Sequence, residues 1–323
     1  MGSRHICMDI GGTKVLGAIF DEKGKIIHRV KKKTNVEKGI EQIEEKIVKV
    51  IQDLLDESGM NISEIAAIGA GAPGVIDENK GVIVYAPNLP WRNYNIKANI
   101  EEIFKVPFYI GNDVNMGVLG EWKFGSGKER ENLVGLFVGT GVGGGLILNN
   151  KLYTGSRHAA AELGHMVLNP EGPYCNCGQR GCLEAYSSKI AMTREIRAQF
   201  NRGRKSLLAD LLDSEDVVFK SKDYKKAIEE KDELALEVLD RAIYYLAIAG
   251  GSLVNIFNPE AIILGGGVLE AMGDYIMPVF RKYIERFTWP YALENTELVQ
   301  AELGDDSILY GALALIYQNN PKE

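Results

Sequence analysis

A two-domain α/β protein is what this sequence predicts, and three observations carry that expectation. The chain has 323 residues, about twice the usual size of one domain. Short apolar runs of strand type alternate with stretches whose apolar residues recur at helical spacing. The opening pattern of strand, glycine-rich turn and returning strand also occurs a second time, from Leu133 onward.

The elements follow in order. Ile6–Ile10 is a short apolar strand, Gly11-Gly12-Thr13-Lys14 turns, and Val15–Phe20 returns. Asp21-Glu22-Lys23-Gly24 turns again and Lys25–Val30 runs back, completing a three-stranded meander. Ile40, Ile43, Ile47, Ile51 and Leu54 recur at helical spacing with Lys and Glu between them. Strand Ile65–Ala70 leads into the Gly71-Ala72-Pro73-Gly74 turn, a helix covers Ile96–Phe104, and Phe108–Ile110 is a buried strand. In the second half Leu133–Val138 is a strand, Gly139-Thr140-Gly141 turns, Gly144–Leu148 returns, and Leu152 and Tyr153 begin a third strand. A long helix covers Glu233–Asn255, strand Ala261–Leu264 runs into Gly265-Gly266-Gly267 and another helix, and a last helix follows Asp305-Asp306. The boundary is placed near Gly117–Gly120. Residues 1–118 form the first domain, with the helix of 305–323 packed on it, and 119–304 form the second.

Composition narrows the function classes. The chain is 46% hydrophobic and 25% charged, as for a soluble globular protein. A net charge of −7 argues against nucleic acid as a partner, and the run Lys31-Lys32-Lys33 reads as the solvated end of a strand. No apolar stretch reaches the roughly 18–20 residues that span a bilayer. No signal-peptide pattern precedes Asp9, so neither a membrane nor export is expected and the cytoplasm is the default location. Four cysteines are too few for a disulfide framework in a chain of this length.

Two segments satisfy G-x-G-x-x-G, at Gly69/Gly71/Gly74 and Gly139/Gly141/Gly144, yet neither opens a helix. A dinucleotide fingerprint needs that helix, because the pyrophosphate sits on its N-terminus. What remains is a hairpin whose backbone N–H groups and small hydroxyl face an anion. Gly11, Gly12 and Thr13 make one such turn and Gly139, Thr140 and Gly141 another; a matched pair could grip one polyphosphate, whereas either alone could be a tight turn only. Asp9, a carboxylate ending an apolar strand, could hold Mg²⁺ through water. Gly265-Gly266-Gly267 would admit a flat group such as adenine, or simply a closely packed helix.

Asp113 follows a strand and starts a helix, which suits either an N-cap or a general base at the carboxyl end of the strand. The most specific local signal is His165 followed by Cys175-x-Cys177-Gly-x-x-Gly-Cys182, a Cys₃His set for a structural zinc ion. Reduced cysteines in a loop are the alternative. Glu162 and Glu184 flank the set, so the metal would fix two carboxylates and one imidazole relative to each other. Cys7, alone on a strand, reads as core.

Asp9-Ile-Gly-Gly-Thr-Lys14, Gly139-Thr-Gly-Val-Gly-Gly-Gly145, Glu162-Leu-Gly-His165 and Cys175-x-Cys-Gly-x-x-Gly-Cys-x-Glu184 together resemble the ROK family (repressors, open reading frames, kinases), and within it the bacterial-type glucokinases. The resemblance spans nearly the whole chain. It implies the actin-like, hexokinase-type (ribonuclease H-like) fold, with two domains closing over a cleft. It implies ATP and Mg²⁺ held by Asp9, Gly11, Gly12, Thr13 and Lys14 and by Gly139, Thr140 and Gly141, with Gly265, Gly266 and Gly267 near the adenosine. Asn112, Asp113, Glu162, His165 and Glu184 match sugar-binding positions, Asp113 matches the catalytic base, and Gly74 and Asn88 are weaker candidates for the same pocket. His165 would hold zinc with Cys175, Cys177 and Cys182 by one ring nitrogen and a sugar hydroxyl by the other. The implied protein is a homodimer or higher homo-oligomer.

Glucose is the expected hexose, with fructose, mannose, allose, N-acetylmannosamine and N-acetylglucosamine as alternatives that the motifs do not exclude. ATP is the expected donor, with ADP or polyphosphate open. A sugar-responsive repressor of the same family would need a helix-turn-helix ahead of the first hairpin, and that hairpin begins at Asp9. The segment Arg194–Lys231 is charged and helical in composition, either a solvated surface or part of a subunit interface.

Overall fold

In the computed structural model, which describes residues 3–34, 39–86 and 89–320, the chain divides into two compact units. Unit 1 is Met1–Lys128, Leu152–Ala160 and Asp305–Glu323; unit 2 is Glu129–Lys151 and Ala161–Gly304.

Unit 1 opens with β1 (Arg4–Ile10), β2 (Lys14–Phe20) and β3 (Ile26–Lys33), then α1 (Ile40–Ser58) and β4 (Ile65–Ala72). Three short strands, β5 (Val75–Asp77), β6 (Val82–Tyr85) and β7 (Arg92–Tyr94), form a small sheet of their own. α2 (Ile96–Phe104), β8 (Phe108–Asn112) and α3 (Asp113–Phe124) follow. The main sheet has the order β3-β2-β1-β4-β8, antiparallel through the meander and parallel from β1 to β8. Successive side chains of a strand point to opposite faces, and β1 is apolar on both. Ile6, Met8 and Ile10 join a core with Ile43, Ile47 and Val50 of α1. Cys7 lies in a second core with Leu309, Ala312 and Leu313, fully buried. Asp9 has the parity of Cys7 and therefore faces the second layer.

Unit 2 repeats this plan with β9 (Leu133–Val138), β10 (Val142–Leu148) and β11 (Lys151–Leu152). Helices α4 (Glu184–Ser187), α5 (Lys189–Asn201), α6 (Ser221–Glu229) and α7 (Glu233–Phe257) precede β12 (Ala261–Gly265), α8 (Gly267–Ile284), α9 (Pro290–Glu294) and β13 (Glu297–Gln300). Its sheet order, β11-β10-β9-β12-β13, has the same antiparallel hairpin and the same parallel partners as unit 1. The duplication is thus one of topology. One core unites β9, α7 and α8, with Leu136, Leu246, Val254, Leu264 and Phe280 among its buried members. Asp232 caps α7 by accepting the N–H of Ala235, and its other oxygen ties down Ser206. Within 194–231 Arg197 donates to the Ser214 carbonyl, so part of that charged segment is spent on local order.

The last helix, α10 (Ser307–Asn319), returns to unit 1. It also accounts for where the first unit ends. A boundary at residue 118 would cut α3, and unit 1 continues to Lys128. Gly120, at the expected boundary, is a packing contact between α3 and α10. A Cβ on Gly120 would stand 2.2 Å from the Ser307 carbonyl oxygen, and one on Gly311 1.8 Å from that of Met116. Among the described residues no helix is long and apolar enough to cross a membrane.

Candidate active site

In unit 1 the strands β1, β4 and β8 end in register: Asp9 is opposite Gly71, Gly71 opposite Gly111, and Ala72 opposite Asn112. Gly71 leaves room there for two other elements. A Cβ at that position would stand 2.5 Å from Ile308 Cγ2 of α10 and 3.4 Å from the Cα of Asp113. The carboxyl end of β1 and the first residues of α3 and α10 therefore converge on one glycine.

Asp9 is buried, with 9% of its surface exposed, and has no hydrogen-bond or ion-pair partner among the described residues. Burial pushes its carboxyl up to about 6; Lys14 opposes the rise, Asp113 and Asp305 add to it, and Lys31 opposes it again. A buried, unpartnered carboxylate of this kind fits a hydrated divalent cation. The hairpin after Asp9 is closed by the Gly11 N–H donating to the Lys14 carbonyl at 2.9 Å, so that N–H is not available to a ligand. The Thr34 hydroxyl donates to the Gly11 carbonyl at 3.1 Å. The N–H groups of Gly12 and Thr13 are the ones left without a partner among the described residues.

α3 begins where β8 ends, and its N-cap is Asn112, not Asp113. Asn112 Oδ1 accepts the Asn115 N–H at 3.0 Å, while Nδ2 donates to the Gly74 carbonyl at 3.1 Å. Asp113 is the first helical residue and its Oδ1 accepts the Val114 N–H at 2.8 Å. A carboxylate at this place sits at the partially positive end of the helix. Gly74 has φ 106° and stands against the Tyr85 carbonyl, so its place in the structure is to turn the chain and hold Asn112. Asn88 lies outside the described residues.

Two unit 1 carboxylates escaped the sequence reading. Asp305 stands in the field of Asp9 although nearly the whole chain separates them. Glu78 has Oε1 3.2 Å from where a Gly111 Cβ would stand. Burial, with Asp77 beside it, pushes its carboxyl up to about 7. Asp305 stands in the Asp305-Asp306 pair that precedes the last helix, which by itself assigns it no role, and no local pattern marks Glu78.

In unit 2 the Gly139–Gly141 hairpin repeats the logic of the first. The Gly139 N–H closes the turn on the Gly141 carbonyl at 2.8 Å, leaving the N–H groups of Thr140 and Gly141 without a partner among the described residues. Thr13 and Thr140 are both exposed at their hairpin tips. Of the glycine triplet that ends β12 and opens α8, Gly265 packs against Phe137 and Gly266, at φ 86°, against the backbone of Val138; Gly267 alone has room for a Cβ, which would meet Ser221 Oγ at 3.7 Å.

Glu162 is the centre of an inverse γ-turn, with φ −70° and ψ 56° and the Leu163 N–H donating to the Ala161 carbonyl at 2.7 Å. Ala161 before it has φ 64°, unusual for a residue with a side chain. The turn leaves Glu162 exposed, and His165, which ends the next turn, is exposed too. The ligand atoms of His165, Cys175, Cys177 and Cys182 all lie within 4.8 Å of one another. Cys175 Sγ is 3.7 Å from His165 Nδ1, and the Sγ atoms of Cys177 and Cys182 are 3.7 Å apart. A zinc tetrahedron with Zn–S bonds of about 2.3 Å has edges of about 3.8 Å, which these two spacings match. Coordination through Nδ1 leaves His165 Nε2 for another partner.

Glu184 opens α4 two residues after Cys182. Its Oε2 accepts the Val142 N–H at 3.0 Å and its Oε1 lies 3.5 Å from Cys175 Sγ. Arg194 of α5, a further residue that sequence reasoning missed, donates to the Tyr174 and Ala185 carbonyls at 3.0 and 2.9 Å and so clamps both ends of the cysteine loop.

Two sheets of like topology, each with a glycine hairpin after its first strand, form the two-domain actin-like fold. Comparison with known proteins is more specific. The chain matches the ROK family over residues 5–319. It is 35% identical to a glucokinase of Thermotoga maritima over 96% of each chain. It is 29% identical to a xylose repressor of Bacillus spizizenii, over 97% of this chain and 77% of that one. A ROK family glucokinase from Streptomyces griseus, solved with glucose and AMPPNP, superposes with a TM-score of 0.82 at 30% identity, covering 96% of this chain and 98% of that one. The chain belongs to the ROK family. It is an ATP-dependent sugar kinase of that family.

Proposed function

We propose that the protein transfers the γ-phosphoryl group of ATP to the primary hydroxyl of a free hexose, D-glucose first, giving glucose 6-phosphate in the cytoplasm. The observation that carries the reading is the meeting of Asp9 and Asp113 at Gly71. A phosphoryl transfer needs a cation-holding carboxylate beside the phosphates and a second carboxylate beside the attacking hydroxyl. Asp113 is the general base: it accepts the proton of the hydroxyl as the oxygen attacks phosphorus in line. The free N–H groups of Gly12 and Thr13, with those of Thr140 and Gly141, take the charge on the phosphate oxygens. Asp9 would hold Mg²⁺ through water, and the ion would supply positive charge at the transferring group. Asn112, Glu162, His165 through Nε2, and Glu184 bind sugar hydroxyls, with Asn88 as a further candidate. Zn²⁺ on His165, Cys175, Cys177 and Cys182 fixes the unit 2 members of that set. Gly267, the least crowded glycine of its triplet, is where the adenosine approaches α8. The identity to glucokinases supports glucose over other hexoses.

The test is ADP release with Mg-ATP and a panel of free hexoses and N-acetylhexosamines, run on the wild type and on Asp113→Asn. Rapid turnover with glucose is expected, and the variant should bind the sugar while turning over about 10²–10⁴-fold more slowly. Turnover with a different sugar would replace the substrate and keep the mechanism. Near-normal turnover in the variant would remove Asp113 from the role of base.

A further inference from the structure

The unit 2 phosphate hairpin is held by the segment that carries the last zinc ligand. Cys182 is a ligand candidate, Leu183 is fully buried, and Glu184 follows. Glu184 Oε2 accepts the N–H of Val142, the first residue of β10 and the foot of the hairpin, at 3.0 Å. Its Oε1 lies 3.5 Å from the sulfur of Cys175, so the carboxylate spans the distance from metal cluster to hairpin. The other foot is held from the same side: the Lys189 N–H, at the start of α5, donates to the Gly139 carbonyl at 3.0 Å. The fit is close. A Cβ on Gly141 would stand 2.4 Å from Glu184 Oε2, so the carboxylate fills the space a side chain there would need.

We propose that Glu184 is a positioning residue for the nucleotide as well as a sugar ligand. It transmits the geometry of the zinc cluster to the Gly139–Gly141 hairpin, so that zinc occupancy sets the affinity for the phosphate end of ATP whether or not sugar is bound. The proposal rests on the reading of that hairpin as phosphate-binding. The physical link is short. Zinc fixes Cys175 and Cys182, these fix the start of α4, and one charge-assisted hydrogen bond fixes Val142. The N–H groups of Thr140 and Gly141 follow, because they lie between Val142 and the Gly139 carbonyl held by Lys189.

The experiment measures binding of the non-hydrolysable analogue Mg-AMPPNP to the full chain by calorimetry, without sugar, before and after zinc removal by a chelator and again after reloading. In the wild type zinc removal should weaken nucleotide binding about tenfold, and reloading should restore it. Glu184→Ala, with its zinc content verified, should show the same loss with zinc bound and little further loss on chelation. Glu184→Gln should bind nucleotide within about threefold of the wild type, because its amide oxygen can still accept the Val142 N–H. Unchanged nucleotide affinity on zinc removal from the wild type would overturn the proposal. So would equal losses on chelation in the wild type and in Glu184→Ala. Thr140→Glu, which puts a negative charge at the exposed hairpin tip, separates the two failures. If it leaves nucleotide binding intact, the phosphate reading of the hairpin fails. If it weakens binding while Glu184→Ala does not, only the link fails.

Discussion

On the proposed mechanism Asp9 costs stability and supplies function at once. Its carboxyl stands at about 6 in the folded chain against an ordinary 3.8, chiefly because it is buried. For an acid with a raised folded pKa, the native state holds the proton over a range where the unfolded chain has lost it. Stability therefore falls as pH rises from about 4 to about 6 and stays low above that, by roughly 3 kcal/mol. Asn has nearly the same shape and no charge to desolvate. In protein free of Mg²⁺ and nucleotide, Asp9→Asn should therefore melt several degrees higher than the wild type at pH 7.5 and at nearly the same temperature at pH 4. On the proposed mechanism its turnover should fall by two orders of magnitude or more, since the carboxylate that would hold the cation is gone. Equal melting temperatures for the two proteins at both pH values would show that Asp9 has a compensating partner.

At the scale of elements, the site in unit 1 depends on how closely α3 and α10 approach the end of β4. Gly71 makes that approach possible, and the cost of filling it can be stated in advance. Gly71→Ala places a methyl group 2.5 Å from Ile308 Cγ2, so the start of α10 must move, while the 3.4 Å contact with Asp113 Cα needs little adjustment. A loss of about 1–3 kcal/mol is expected from such overpacking. Adding Ile308→Ala removes the opposing carbon and should recover most of the loss in a thermal melt. A double variant no more stable than Gly71→Ala would mean that the backbone, and not Ile308, meets the new methyl group. None of this approach was legible in the sequence. The short apolar run Ile6–Ile10 marked β1, and the spacing from Cys175 to Cys182 marked the metal cluster, because both patterns are local. Ile308 comes to Gly71, Asp305 to Asp9 and Glu184 to Val142 only through sheet order and helix packing, which periodicity does not encode. The same blindness explains why the domain boundary was placed at Gly120, a contact point for Ser307.

Across the whole chain, what keeps each region folded differs in kind. Unit 1 has a core on each face of its main sheet and unit 2 has a large core around α7. The cysteine loop has almost none. Its buried apolar cluster is Cys175, Cys182 and Ala185, while Tyr174 and Val167 are 66% and 52% exposed. Its order comes from two isolated bridges, Val167 with Cys182 and Tyr174 with Arg180, from the Arg194 clamp, and from the four ligand atoms. A segment with so little buried surface opens at a lower free energy than the cores around it, and a metal ion on the four ligand atoms would make up the difference. Zinc removal should therefore raise amide hydrogen exchange across residues 174–182 and at Val142, whose N–H is held by Glu184. Strands β1 and β4 in unit 1, and β9 and β12 in unit 2, should stay protected, since they are buried without reference to the metal. Exchange that rises uniformly through unit 2 would make the cluster a keystone of that whole core. Exchange that does not rise at all would mean that the clamp and the two bridges suffice, and that zinc serves the site's chemistry without holding its loop.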